Sequence, residues 1–182
     1  GLGTAYVAGF KLALEELGAA KVMTMDADFS HLPRYIPDMI ALSRERHLVI
    51  GSRYVPGGGT AHWPLTRQLL SWAANTFARL SLGLKARDTT AGFRLYHRIV
   101  LETVPPESIR STGYSFLIEM LFYCERHGFQ VGEVPIVFED RRQGASKISR
   151  LEIIRALQTV FRLIPSRLRR REPLRPVGGD NG

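Results

Sequence analysis

Apolar positions along the chain alternate between a spacing of three to four and short unbroken runs, the pattern of helices interleaved with buried strands. Thr4 to Leu17 has the helical spacing, with Thr4 as N-cap and Gly18 as stop. Ala5, Ala8 and Leu12 share one face, and Val7, Phe10, Leu14 and Leu17 widen it, which predicts a well-buried helix. Lys21 to Met25 reads as a short strand covered on both faces, and Asp26 ends it. Pro33 to Glu45 is a helix with Ile36, Met39, Ile40 and Ser43 turned inward, and Leu48 to Ser52 is a second strand. Strand, helix and strand within about thirty residues form a βαβ unit, which implies a parallel sheet with a right-handed crossover.

Beyond a loop from Val55 to Pro64, Thr66 to Leu82 is a helix stopped by Gly83. Phe93 to His97 is strand-like, and Ser115 to His127 is a helix stopped by Gly128. Phe129 to Glu139 is a strand whose Pro135 places it at an edge or a bulge. Arg141 to Lys147 is a polar loop around Gly144. Ser149 to Ile164 is a helix opened by a Ser149-x-x-Glu152 capping box, with Leu151, Ile154, Leu157, Phe161 and Ile164 as its apolar face. These elements predict one domain over residues 1–164 and a basic, disordered tail over 165–182. The chain opens at Gly1-Leu2-Gly3 rather than Met and reads as part of a longer protein.

With 182 residues, the chain is long enough for one sizeable core. Its single cysteine, Cys124, excludes an internal disulfide and argues against a cysteine-based zinc site. No apolar run is long enough for a membrane span, and no signal peptide is visible. A formal charge of +8 and a pI near 10.1 favour anionic partners: phosphorylated small molecules, phospholipid or nucleic acid.

Candidate chemistry gathers behind the strands. Asp26 and Asp28 are two apart at the end of a strand, so in extended chain they point to one side. The C-terminal edge of a parallel sheet is where α/β folds bind ligands. Two convergent carboxylates need a positive partner, which Mg²⁺ or Mn²⁺ bridging to a substrate phosphate supplies; the alternative is one helix cap and one solvated side chain. Arg53 follows the next strand and pairs with a phosphate, with Asp28, or with a surface partner. Arg67, Ser71 and Asn75 form a polar stripe at helical spacing, which ordinarily faces water. Arg141 and Lys147 flank a glycine-bearing loop that suits an anionic ligand or plain solvation. His31 is a candidate ligand or base, or a structural residue at a helix start.

In order, Gly1-Leu2-Gly3-Thr4-Ala5-Tyr6, Met25-Asp26-Ala27-Asp28-Phe29-Ser30-His31, Gly51-Ser52-Arg53-Tyr54, Asp88-Thr89-Thr90-Ala91-Gly92-Phe93-Arg94, Gly132-Glu133-Val134-Pro135-Ile136 and Arg141-x-x-Gly144-x-Ser146-Lys147 resemble the polyprenol (dolichol) monophosphate mannose synthases. These are family 2 inverting glycosyltransferases. The resemblance covers Gly1 to about Ile164 and implies an α/β, Rossmann-like GT-A fold with a mostly parallel sheet flanked by helices, its first βαβ portion lying upstream of Gly1. It implies transfer of mannose from GDP-mannose to a polyprenyl phosphate at the cytoplasmic face of a membrane. Asp26, Ala27 and Asp28 would serve donor and metal, Ser30 would lie near the metal, Arg53 would contact donor or acceptor phosphate, and Arg141 and Lys147 would hold the diphosphate. Arg67 and Ser71 would grip the acceptor phosphate, and Asp88, Thr90 and Arg94 would shape the acceptor side. A UDP-sugar donor on the same scaffold, an inactive fragment and a basic nucleic-acid-binding module are the alternatives. The last predicts interleaved basic and aromatic residues on one surface, whereas the basic residues here gather in sheet-edge loops and the tail.

Overall fold

The computed structural model describes residues 2–139 and 150–168. Its elements are α1 (Leu2–Lys11), β1 (Lys21–Thr24), α2 (Ile36–Leu42), β2 (Leu48–Ser52), β3 (Gly59–Thr60), α3 (Leu65–Leu82), β4 (Arg94–His97), α4 (Arg98–Thr103), α5 (Tyr114–Arg126), β5 (Val131–Pro135), β6 (Val137–Phe138) and α6 (Arg150–Leu168). The main sheet has the order β1-β4-β2-β5, and β3 pairs with β6 beside it.

The architecture is α/β, as expected, but the sheet is mixed. β1, β2 and β5 run one way, yet β4 lies between β1 and β2 and is antiparallel to both, so only the β2–β5 pairing is parallel. Helical and strand periodicity reveals that β1 and β2 share a direction. It does not reveal that the four-residue β4, buried on both faces, inserts between them. β5 is an edge strand, which accommodates Pro135 at its end.

β2 is fully buried and its side chains alternate between two cores. Leu48 and Ile50 join Phe10, Tyr96, α5 and the inner residues of α3 and α6. Val49 joins Met39 of α2, Phe93, Leu95 and Ile136. Ile36 packs partly on the second core, while Ile40, expected inward, is exposed.

Three helices differ from their expected orientation. α1 passes into a π-helical turn, Leu12–Glu16, and only part of it is covered. Phe10 is buried and Tyr6, Val7 and Leu14 pack beside it, whereas Leu12 and Leu17 are exposed. The covered stripe is thus set by the large side chains, and the alanine face turns out. On α3 the polarity is inverted. Asn75 is buried and Arg67 and Ser71 are half-buried, while Leu65, Leu69, Trp72 and Leu80 face outward. Among the described side chains of α6 the buried ones are Thr159, Val160 and Leu163, and the predicted apolar face is largely exposed at Ile154, Leu157 and Phe161. α6 also continues through Pro165 to Leu168, past the expected boundary at 164. Residues 169–182 lie outside the described residues.

α3 and α6 lie side by side, and Phe77 meets Phe161 edge-on at 6.2 Å. Gly83 stops α3 in the left-handed region, at φ 68°, and Arg167 of α6 donates to the terminal carbonyls of Leu80 and Ser81. On its other side α6 is tied to α5 by Arg162, which donates to both carboxylate oxygens of buried Glu119 at 3.0 and 2.7 Å. Ser111 N–H adds a third bond to that carboxylate. Burial pushes the Glu119 pKa up, and the bonds from Arg162 and Ser111 more than offset it, so it is lowered. Replacing Arg162 with Met leaves that carboxylate with Ser111 alone; we expect a loss of about 2 kcal/mol in urea unfolding, reduced from the fully buried case because Arg162 is partly exposed. Arg155→Met, which breaks only the exposed Arg155–Glu152 pair, is expected to cost no more than about 0.5 kcal/mol.

Candidate active site

The candidate residues converge at the C-terminal ends of β1 and β2. β1 stops at Thr24, one residue earlier than expected, so Asp26 and Asp28 lie in an irregular segment beyond it. Phe29 sits in the left-handed region at φ 65°, a costly conformation for an aromatic residue. That turn folds Ser30 back onto Asp28, whose Oδ1 accepts both the Ser30 N–H, at 3.1 Å, and its hydroxyl. Ser30 is buried and orients the carboxylate. Ala27, between the two aspartates, is exposed.

His31 takes the structural role. Its Nδ1 accepts the Asp26 N–H at 2.9 Å, and its ring packs on Phe93 and Phe138. Burial lowers its pKa, with the Asp26 charge opposing and Arg53 reinforcing the shift. The imidazole is therefore held neutral, with the proton on Nε2.

Arg53 is the centre of the other half of the site. Its Nε and Nη2 donate to the two oxygens of Asp88, both at 2.8 Å, and its backbone N–H adds a third bond to that carboxylate. Nη2 also reaches the Thr90 hydroxyl. Asp88 is wholly buried and Arg53 nearly so, a paired geometry that a guanidinium meets well. For Asp88, burial works to raise the pKa and is outweighed by the charge and hydrogen bonds of Arg53, so the shift is downward. For Arg53, burial works to lower the pKa and is outweighed by the same partner. Tyr54, Trp63 and Phe138 surround the guanidinium. The structure thus pairs Arg53 with Asp88 rather than with Asp28 or a surface partner.

Next to this pair, Arg67 lies over the Trp63 ring at 3.8 Å, and the Ser71 hydroxyl meets the Tyr54 hydroxyl at 2.7 Å. Asp26, Arg53, Arg67, Ser71 and Thr90 line one groove of ≈ 150 Å³. Its other end is apolar and runs between α3 and α6 past Leu70, Phe77, Ala156, Leu157 and Val160. Gly92 forms part of the wall; a Cβ there would lie 3.1 Å from the Tyr6 hydroxyl and 3.7 Å from the Asp26 carboxylate.

Other predicted residues fall elsewhere. Arg94 is fully buried behind the groove and donates to the carbonyls of Thr89, Ala91 and Leu117, so it shapes the wall from within. Arg141 and Lys147 lie outside the described residues. Glu133 and Glu125, to which no motif assigns a role, and Asn75, expected to face water, all accept from backbone N–H groups of the loop that carries Asp88.

The donors around Asp26 and Asp28 are oxygens, the hard ligands that Mg²⁺ and Mn²⁺ take. No group of three His, Cys, Asp or Glu suited to a metal occurs among the described residues. The protein's share would be the two aspartates, with substrate phosphate and water completing the shell, which is common for Mg²⁺. Ser30 holds the Asp28 carboxylate in the manner of an outer-shell partner. The residues present fit such an ion.

A family model described as Glycosyl transferase family 2 matches residues 1–104, more than half of the chain. The chain belongs to glycosyl transferase family 2. An undecaprenyl-phosphate mannosyltransferase from Micrococcus luteus is 44% identical over 149 residues, covering 82% of this chain and 61% of that protein. A polyprenol monophosphomannose synthase from Mycolicibacterium smegmatis is 44% identical over 158 residues, covering 86% of this chain and 59% of that protein. The resemblance carried by the motifs is borne out by these relatives, and the α/β fold is compatible with the GT-A architecture expected of family 2. The chain spans less than two thirds of the length of either relative.

The neutral His31 makes the family 2 site sensitive to acid. An unfolded histidine takes up a proton near pH 6.5, whereas His31 in the fold does so only lower. Its contribution is complete above about pH 6.5 and is lost as pH falls through the window below. His31→Asn places an amide oxygen where Nδ1 accepts the Asp26 N–H and removes the titration. The difference in unfolding free energy between pH 7.5 and 5.5 should therefore shrink in His31→Asn. His47, also lowered by burial and by His97, keeps part of the slope. An unchanged slope would show that His31 is not held neutral.

Proposed function

We propose that this chain is the catalytic part of an enzyme that transfers mannose from GDP-mannose to a polyprenyl phosphate. The observation that carries this reading is the groove that joins an anion-binding end to an apolar trough. Asp26, Arg53, Arg67 and Ser71 line one end, and α3 and α6 line the other. That shape suits an amphiphile with a phosphate head and an isoprenoid tail. The names of the two relatives describe transfer to, or synthesis on, lipids of that class.

The chemistry follows from charge. A lipid phosphate is an anion near neutral pH, so its oxygen attacks without a general base. His31 is consistent with this, because its free lone pair is spent on the Asp26 N–H. Arg67, fixed against Trp63, and Ser71, fixed by Tyr54, would orient the acceptor phosphate. Arg53 would contribute positive potential from behind, since its fork is taken by Asp88. A divalent ion held by Asp26 and Asp28 would offset the negative charge growing on the leaving diphosphate. Arg141 and Lys147 would close on the same diphosphate. Attack from the face opposite the leaving group inverts the anomeric carbon.

The outward faces of α3 and α6 suit the interface of a bilayer. Leu69 is 65% exposed, Trp72 56% and Phe161 61%, and these residues lie on the two helices that enclose the trough. A soluble surface seldom gathers such residues on adjoining helices. Seated at the cytoplasmic face of a membrane, they would let the acceptor enter the groove without leaving the lipid phase. No helix among the described residues is long and apolar enough to cross a membrane.

The transfer is tested with the full-length protein, Mg²⁺ or Mn²⁺, a polyprenyl phosphate, and either GDP-mannose or UDP-glucose. Mannolipid from GDP-mannose alone is expected, with at least a hundredfold lower rate in Asp28→Asn. Product from UDP-glucose only, or no product with either donor, would defeat the reading. For the membrane face, Leu69→Glu with Trp72→Glu is expected to abolish sedimentation with phosphatidylcholine vesicles at high salt, where screening removes the contribution of the basic tail. Equal sedimentation of wild type and variant would sink it.

A further inference from the structure

Between α3 and β4, the segment from Leu84 to Phe93 has no regular secondary structure, yet Leu84, Ala86, Asp88, Thr89 and Ala91 are buried. Backbone N–H groups in such a place must find acceptors. Here the acceptors are side chains. Glu125 accepts from Lys85 and Ala86, Glu133 from Arg87 and Asp88, Asn75 from Thr89, and Asp88 itself from Thr90 and Ala91. Every N–H from Lys85 to Ala91 is thus held by a side-chain oxygen. Asn75 also donates to the Arg87 carbonyl, so it fixes the loop from both sides.

Glu133 occupies a special place in this set. Its Oε2 takes the Arg87 N–H at 2.8 Å and its Oε1 the Asp88 N–H at 3.0 Å. These bonds fix the backbone from which the Asp88 carboxylate reaches Arg53. Glu125 makes the same kind of bond, but to the two residues before. We infer that Glu133 is a positioning residue, acting through Asp88 on Arg53 to set the anion-binding end of the groove. Among the described residues its carboxylate serves these two N–H groups and no other partner, and a carboxylate is the side chain that accepts from two adjacent N–H groups at once. Asn75 completes the clamp from α3, the helix that also carries Arg67 and Ser71, so the loop and the acceptor-binding residues are set on one scaffold.

The inference rests on the proposed transfer to a polyprenyl phosphate. Glu133→Gln keeps one acceptor and turns an amide NH₂ toward the other N–H, so the loop must shift. Glu125→Gln makes the same change away from Asp88 and serves as the comparison for loss of stability alone. With the full-length enzyme, Glu133→Gln is expected to raise KM for the polyprenyl phosphate roughly tenfold and to leave KM for GDP-mannose within about twofold. Glu125→Gln is expected to lower thermal stability without that split. Because Glu133 acts through Arg53, Arg53→Lys with Glu133→Gln should be no worse for the acceptor KM than Arg53→Lys alone. Amide hydrogen exchange on the substrate-free protein gives a second measure: the 87–91 amides should exchange at least tenfold faster in Glu133→Gln, while those of β2 stay protected. Equal rises in both KM values, the same split in Glu125→Gln, additive effects with Arg53→Lys, or unchanged exchange at 87–91 would each overturn the assignment. A wild-type enzyme that forms no mannolipid defeats the functional reading instead, and the exchange experiment separates that failure from failure of the positioning role.

Discussion

The Arg53–Asp88 pair is the constraint on which the site is built. An ion pair this buried recovers its desolvation cost only with excellent geometry and with further bonds to both partners. Asp88 has them: besides Arg53, it takes the N–H groups of Thr90 and Ala91. The pair in turn requires an irregular loop to run through the protein interior, and that loop requires its own acceptors. Glu125, Glu133 and Asn75 meet that requirement from α5, β5 and α3, and Arg94 of β4 donates to the loop's carbonyls. The sheet edge is consequently rigid where Arg53, Thr90 and Gly92 face the groove. Rigidity of this kind is what lets fixed charges favour a transition state without reorganising.

The opposite wall follows a different logic. α3 directs its polar stripe inward, because Asn75 is needed at the loop and Arg67 and Ser71 at the groove. Once that face is committed, Leu65, Leu69, Trp72 and Leu80 can only point out. α6 is set against α3 by Arg167 and against α5 by Arg162, so its own apolar residues extend the same surface. An exposed apolar face is thus a consequence of placing the anion-binding residues on an amphipathic helix. A lipid-facing role gives that consequence a use.

These features were unequally legible in the sequence. The strands beside Asp26 and Arg53 could be read, since short apolar runs bounded by turns carry a strong local signal. The insertion of β4 could not, because strand order depends on contacts distant in sequence. The inversion of α3 was hidden for a physical reason. Periodicity shows that a helix has two faces, but not which one meets the protein, and the solvated reading of Arg67, Ser71 and Asn75 was the ordinary one. The same ambiguity attends Ile154, Leu157 and Phe161, legible as the apolar face of a helix but not as a face that lies outward. His31 was legible only as a set of options; the Asp26 N–H on its Nδ1 selects among them. Glu133 stood within a quoted motif, but a carboxylate that binds backbone N–H groups leaves no mark in spacing or composition.

That blindness has a general source. Side-chain patterns report what residues do to water, and backbone groups are the same at every position. A loop whose N–H groups are satisfied by side-chain oxygens, most of them distant in sequence, reads as polar and irregular, like any surface loop. Here the acidic residues are spread over α5, β5 and the loop itself, while the formal charge of the chain is +8. Part of the acidic complement is thus withdrawn from the surface to hold backbone, and the basic residues that remain outward are less compensated than the net charge suggests. The excess positive potential is a by-product of how the loop is built as well as an attraction for anionic ligands. The anion-binding end of the groove draws on both, because the carboxylates nearest to Arg53 are occupied by the fold and do not face the incoming phosphate.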